Sequence, residues 1–168
     1  MLKNTVKKGG RGMKRETVKK FFEFLEKKEG KENIESKLIF SPESIPEGFV
    51  VKGILNLEEL PIKSLPKGLK VEGNLWLSDT PIKSLPEGLE VGGVLWLYNT
   101  PIQSLPEGLK VGGTLCLSEA SIQSLPEGLE VGGSLELGET PLSRKYTKEE
   151  IRKMIEDRGG HVKGEIYL

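Results

Sequence analysis

Asn56, Trp76, Trp96, Cys116, Glu136 and Tyr167 form the column of this chain whose chemistry is most informative. The first five recur every 20 residues, each between two leucines, and Tyr167 follows Glu136 by 31. Indole and phenol rings offer rigid, amphipathic contact area of the kind that dominates interface hot spots. Stacked aromatic pairs on neighbouring strands also stabilise a sheet, by about 0.2–1 kcal/mol each. A neighbouring column reads Glu58, Ser78, Tyr98, Ser118 and Gly138, and a third carries Asp79, Asn99, Glu119 and Glu139. The expected partner-binding surface is therefore Asn56, Trp76, Trp96, Tyr98, Cys116, Glu136 and Tyr167, with Asp79, Asn99, Glu119 and Glu139 as its acidic rim. One carboxylate per repeat falls short of the roughly six to eight oxygens of a calcium site, so no metal or cofactor is expected.

Catalytic constellations are not legible. Cys116 is mid-strand with no histidine near it in sequence, and a cysteine nucleophile needs a base or a lowered pKa. His161 is the only histidine and falls just after a terminal helix, where a loop residue is expected. A glycine recurs at this turn in every repeat and is doubled to Gly-Gly in three of the five, which marks it as structural punctuation and not as a phosphate loop. The chain reads as a non-enzyme.

A repeat positions these columns. Residues 44–143 are five copies of one 20-residue unit without insertion. A strict period in this range predicts a solenoid, in which each coil buries its apolar face against the next. In the copy beginning at Ser84 the apolar positions are Leu85, Leu89, Val91, Leu95, Leu97 and Ile102. Leu95 and Leu97 alternate with Val94, Trp96 and Tyr98, the period of a strand buried on one face. Gly92-Gly93 and Pro86-Glu87-Gly88 supply turns. Lys70, Glu90, Lys110 and Glu130 alternate in sign down another edge and predict a stacking ladder.

The flanks differ. Residues 1–13 read as a basic flexible tail and residues 14–43 as an N-terminal cap. In that cap Val18, Phe21, Phe22 and Leu25 predict a helix over 14–29 stopped by Gly30, and residues 38–40 a first short strand broken at Ser41-Pro42. In residues 144–168, Thr147-Lys-Glu-Glu150 is a capping box and Ile151, Met154 and Ile155 make an apolar face. Val162 to Leu168 then aligns with Val91 to Leu97, so a final strand completes a sixth coil.

Net charge is zero, but residues 1–40 carry +6 and the repeats −7. The basic arm (Lys7, Lys8, Arg11, Lys14, Arg15) leaves a nucleic-acid or anionic-surface binder as an alternative, since such residues release counterions from phosphates. Without interleaved aromatics or a recognisable module, nucleic acid is not the expected partner. Another protein is. A self-associating structural module is a further alternative, and the oligomeric state stays open. The single cysteine excludes an internal disulfide. No stretch approaches the roughly 18 apolar residues of a membrane span, and no signal peptide is legible, which makes the cytoplasm the expected location.

The wording Gly-x-Leu-x-Leu-x-x-Thr-x-Ile-x-x-Leu-Pro resembles the leucine-rich-repeat family. Its 20-residue period and Leu-Pro element are similar to the short-repeat class of bacterial effectors. The Leu-Pro-x-Gly-Leu-x-Val-Gly-Gly run resembles repeat proteins encoded by bacteria and their phages. The resemblance implies a right-handed coil with one parallel sheet, helical caps and a concave ligand-facing strand surface. It also implies a non-catalytic protein-binding scaffold, and a phage- or bacterium-encoded inhibitor that occludes a host defence or regulatory protein. Where the family has a turn Asn bonding adjacent coils, this chain has Thr80, Thr100 and Thr140, or Leu60 and Ala120, which cannot bond. A three-sided parallel β-helix, with Leu89/Val91 and Ile102/Leu105 as further inward faces, is the alternative architecture.

Overall fold

The computed structural model describes residues 34–168. The basic arm and the helix expected over 14–29 lie outside them. The described chain opens with a helix, α1 (Ile34–Phe40), and a short 3-10 turn at Pro42–Ser44. This corrects the expectation of a strand at residues 38–40. Leu38 is buried against the first coil as part of a helical turn, and Ser41 accepts no place in a sheet because its N–H returns to Lys37 O at 2.8 Å.

The repeats fold as a parallel β-solenoid with two sheets. The first contains β1 (Val50–Val51), β3 (Lys70–Val71), β5 (Glu90–Val91), β7 (Lys110–Val111), β9 (Glu130–Val131) and β11 (His161–Val162). The second contains β2 (Leu55–Asn56), β4 (Leu75–Trp76), β6 (Leu95–Trp96), β8 (Leu115–Cys116), β10 (Leu135–Glu136) and β12 (Ile166–Tyr167). Every pairing is parallel and shifts the partner by one repeat, so Leu95 pairs with Leu115 and Val91 with Val111. The sheet expected at the Leu-x-Leu strands is the second of these. The other arises because the Lys/Glu-Val segment also extends, burying its valine and stacking its charge. A third arc, with Ile82 and Leu85 inward in one coil, runs without a strand.

Like stacks on like inside. Leu85, Leu89, Val91, Leu95, Leu97 and Ile102 are all buried, as are their counterparts in the neighbouring repeats. Burying each such side chain contributes on the order of 1.5–3 kcal/mol, and the core is one continuous cluster from Leu38 to Ile166. Outside it, Lys70–Glu90 and Lys110–Glu130 close at 3.2 Å each, about half exposed, so they hold register more than they add stability.

The last coil is built differently. Helix α2 (Lys148–Asp157) starts at Thr147, whose hydroxyl accepts from Glu150 N while Glu150 Oε2 accepts from Thr147 N. Val162 pairs with Val131 and Ile166 with Leu135. The helix ends sooner in the coil than the alignment suggests: Arg158 O accepts from Gly128 N at 3.0 Å, as Glu127 O accepts from Gly108 N in the coil before. Gly160 then stands where other coils have a core leucine, because Ile155 already fills that space; a Cβ there would sit 2.9 Å from Ile155 Cγ2. His161 is not a loop residue but the first residue of β11, paired with Glu130.

The turn threonines also differ from expectation. Thr80, Thr100 and Thr140 do not reach adjacent coils; each hydroxyl donates within its own coil, to Leu77, Leu97 and Leu137 O at 2.6, 2.8 and 2.8 Å. A backbone bond closes the same turn in the coils that lack threonine, Leu60 N to Leu57 O and Ala120 N to Leu117 O. A hydroxyl is too short to cross between coils and finds the carbonyl three residues back.

Two glycines separate the demands of stacking from those of conformation. A Cβ on Gly113, a position that is glycine in every coil, would be driven into the carbonyl group of Gly93 in the coil below, whereas Gly108 has φ +65° with open space around it. Gly108→Ala is expected to cost roughly 1–2 kcal/mol of left-handed strain. Gly113→Ala must push backbone against backbone and is expected to cost about 3 kcal/mol or more. Urea unfolding of the two variants checks the order; equal losses would refute direct backbone contact between coils.

Candidate functional site

The second sheet aims alternate residues inward and outward. Leu75 and Leu77 go to the core, and Trp76 between them faces out beside Trp96 of the next coil. The two rings meet edge to face, with centroids 5.3 Å apart and planes at 88°, a favoured aromatic geometry. Both are half-buried. Trp76 Nε1 is shut off from water and has no hydrogen-bond acceptor among the described residues.

Tyr98 continues this face outward and is exposed. Its hydroxyl donates to Glu119 Oε1 at 2.6 Å, one coil on. That bond to a carboxylate raises the phenol pKa, with desolvation and the charges of Glu119 and Asp79 adding in the same direction. Asn99 Nδ2 donates to Asp79 Oδ1 at 2.6 Å. Glu139, the last of that column, pairs with Arg144 at 3.0 Å. The column also includes Glu59, which the sequence reading left out although it precedes Asp79 by one repeat.

All five of these turn residues are left-handed. Glu59, Asp79, Asn99, Glu119 and Glu139 have φ between 50° and 58°, the third position of the turn that the i to i+3 bond closes. Only Asn99 and Asp79 are types that tolerate this region readily. A carboxylate in such a turn projects away from the coil, which is why the column is exposed.

Not every expected residue joins the surface. Asn56 is exposed but turns its Oδ1 to accept from Glu58 N at 3.0 Å. Glu136 is half-buried. Tyr167, 51% exposed, lies at the far end of the column, with Lys148 Nζ of α2 over its ring at 5.7 Å. Cys116 is corrected outright: it occupies an outward register but is only 5% exposed, a short side chain between the larger Trp96 and Glu136 of the flanking strands. Burial, with the Glu136 carboxylate adding to it, pushes its thiol up to about 11. The thiol therefore presents almost no surface of its own and stays protonated at neutral pH.

The first sheet carries shallow grooves of about 460 and 390 Å³ over Gly92, Gly112 and Gly132. Their walls mix Lys70, Glu90, Lys110 and Glu130, so they concentrate neither one charge nor any aromatic surface. No group of three or more metal-ligating side chains occurs among the described residues, and no described helix is long and apolar enough to cross a membrane. No protein-family model matches the chain, and no curated protein or solved structure matches it.

The thiol gives a check on this geometry. An unfolded cysteine titrates near about 8.5, so at pH near 8 the folded chain holds far less thiolate than the unfolded one. Reaction with a disulfide reagent at that pH is expected to be more than about a hundredfold slower in buffer than in denaturant. The sign for stability follows: the raised pKa favours the folded state below about 8.5, and the contribution is lost as pH climbs towards about 11. Equal rates in the two solvents would refute the burial.

Proposed function

We propose that this chain is a non-catalytic protein-binding scaffold that holds its partner on the outward face of the second sheet. One observation carries the reading: the only two tryptophans of the chain stand on adjacent coils, outward, in edge-to-face contact, and continue into exposed Tyr98. Exposed aromatic clusters of this kind mark interaction sites more often than they decorate a free surface. A rigid repeat frame suits the role, because the columns it presents differ from coil to coil while the interior does not.

The resemblance to short leucine-rich repeats supports the same class, and its phage-type wording extends it to an inhibitor that occludes a host protein in the bacterial cytoplasm. The alternative, a nucleic-acid binder led by Lys7, Lys8, Arg11, Lys14 and Arg15, rests on charge alone.

The test is a capture experiment from host lysate with the full chain. Trp76→Ala/Trp96→Ala and Tyr98→Ala are expected to lose partners that wild type retains, with circular dichroism showing each variant folded. Neutralising the five basic residues to glutamine is expected to leave capture intact. If instead the aromatic variants recover the same partners and the neutralised arm does not, the scaffold reading gives way to the charged one.

A further inference from the structure

The aromatic face has a uniform charge. Its columns hold Glu58, Glu59, Asp79, Glu119, Glu136 and Glu139, and no lysine or arginine. The chain's own cations show what such a surface takes. In the last coil Lys148 Nζ sits over the ring of Tyr167, in the column of Trp76 and Trp96. Arg144 pairs with Glu139, in the column of Asp79 and Glu119. The last two coils thus carry a cation on a carboxylate, at Glu139, and a cation on an aromatic, at Tyr167, each donated by the segment that follows the repeats.

The coils of Trp76, Trp96 and Glu119 repeat the receptors with no such cation among the described residues. Among the described residues, no lysine or arginine pairs with Asp79 or Glu119 or sits over either indole. Indole is the stronger of the aromatic cation receptors, ahead of phenol. Asn99 and Tyr98 each tie down one carboxylate oxygen, on Asp79 and Glu119, and the second oxygen of each has no donor among the described residues. The carboxylates are held in place but not neutralised.

We propose that this face takes a basic, extended segment of its partner protein, seating arginine or lysine cations over Trp76 and Trp96 and against Asp79 and Glu119. This rests on the reading of the face as a protein-binding surface and specifies the partner's chemistry. Coils about 4.8 Å apart place Asn56 roughly 24 Å from Tyr167. An extended chain rising about 3.3 Å per residue crosses that distance in about seven residues. Arginine fits best, since a planar guanidinium both stacks on indole and forks onto carboxylate.

Both tryptophans lie in the site and the chain has no others, so their emission reports occupancy directly. The probe is a labelled peptide of alternating arginine and glycine, with glutamate-glycine as control, titrated into the full chain. The arginine peptide is expected to shift tryptophan emission and raise label anisotropy, more weakly as salt is added, while the glutamate peptide does neither. Asp79→Asn/Glu119→Gln, isosteric and surface-exposed, is expected to weaken binding roughly fivefold, with the fold intact.

If the arginine peptide binds wild type and this variant equally, or not at all, the basic chemistry is overturned. The scaffold reading then still stands where Trp76→Ala/Trp96→Ala loses a partner that wild type captures, and falls where that capture survives. If the chain is a dimer that dissociates both on adding the peptide and on neutralising Lys7, Lys8, Arg11, Lys14 and Arg15, the occupant is the arm of a second copy, which overturns the assignment to a partner protein.

Discussion

Backbone-to-backbone contact between successive coils is the constraint on which everything else in this molecule depends. At a glycine that every coil keeps, the chain of one coil lies against the carbonyl groups of the one below, with no room for a Cβ at Gly73, Gly113 or Gly133. That closeness permits only registers that set one whole repeat on the next. Once one is set, each inward leucine must fall on a leucine, each turn on a turn and each outward side chain on the corresponding one a repeat away. Hydrogen bonding and the Lys/Glu ladder follow the same translation.

Register converts sequence into surface with little freedom. The inward positions of the middle coils keep one identity, since each must fit the same column of space, and they change only in the end coils, as at Phe49 and Gly160. Only outward and turn positions can vary without disturbing the stack, and they vary most on the second sheet. Tryptophans, a buried thiol, carboxylates and tyrosines succeed one another there on an otherwise constant frame. The left-handed turn adds a second line of side chains beside the strands, and its hydrogen bonds to Tyr98 and Asn99 run between coils. Aromatic and acidic groups end up in parallel rows because one turn geometry recurs.

Period, inward residues, turn glycines and the capping box at Thr147 were legible because each is a local rule repeated many times. The Leu-x-Leu strands and the outward column could be read for the same reason. What escaped was decided by neighbours. Residues 38–40 look like a strand taken alone, and their helical state reflects the coil they cover. Cys116 alternates outward like its counterparts, yet its exposure depends on the size of Trp96 and Glu136. The first sheet was hidden behind its charges, since Lys and Glu are poor strand formers and their pairing is visible only across coils. Lys148 and Arg144 reach the candidate surface through tertiary placement that spacing alone does not give, whereas Glu59 stands one repeat before Asp79 and was legible from the period.

Gly160 gives the stack something its repeats lack, an origin. A run of interchangeable coils has no internal feature to say which level is which, and a shift by one whole coil would leave the leucine columns equally well matched. The coil that exchanges its leucine for glycine is the single level at which Ile155 can enter, so α2 can dock in one place only. The helix acts as an end-stop that counts from the C-terminal side. Coils can then be added or removed between the ends without moving either terminus relative to its own neighbours. Length of the outward face becomes a quantity that can change in whole steps, independently of how the ends of the stack are built.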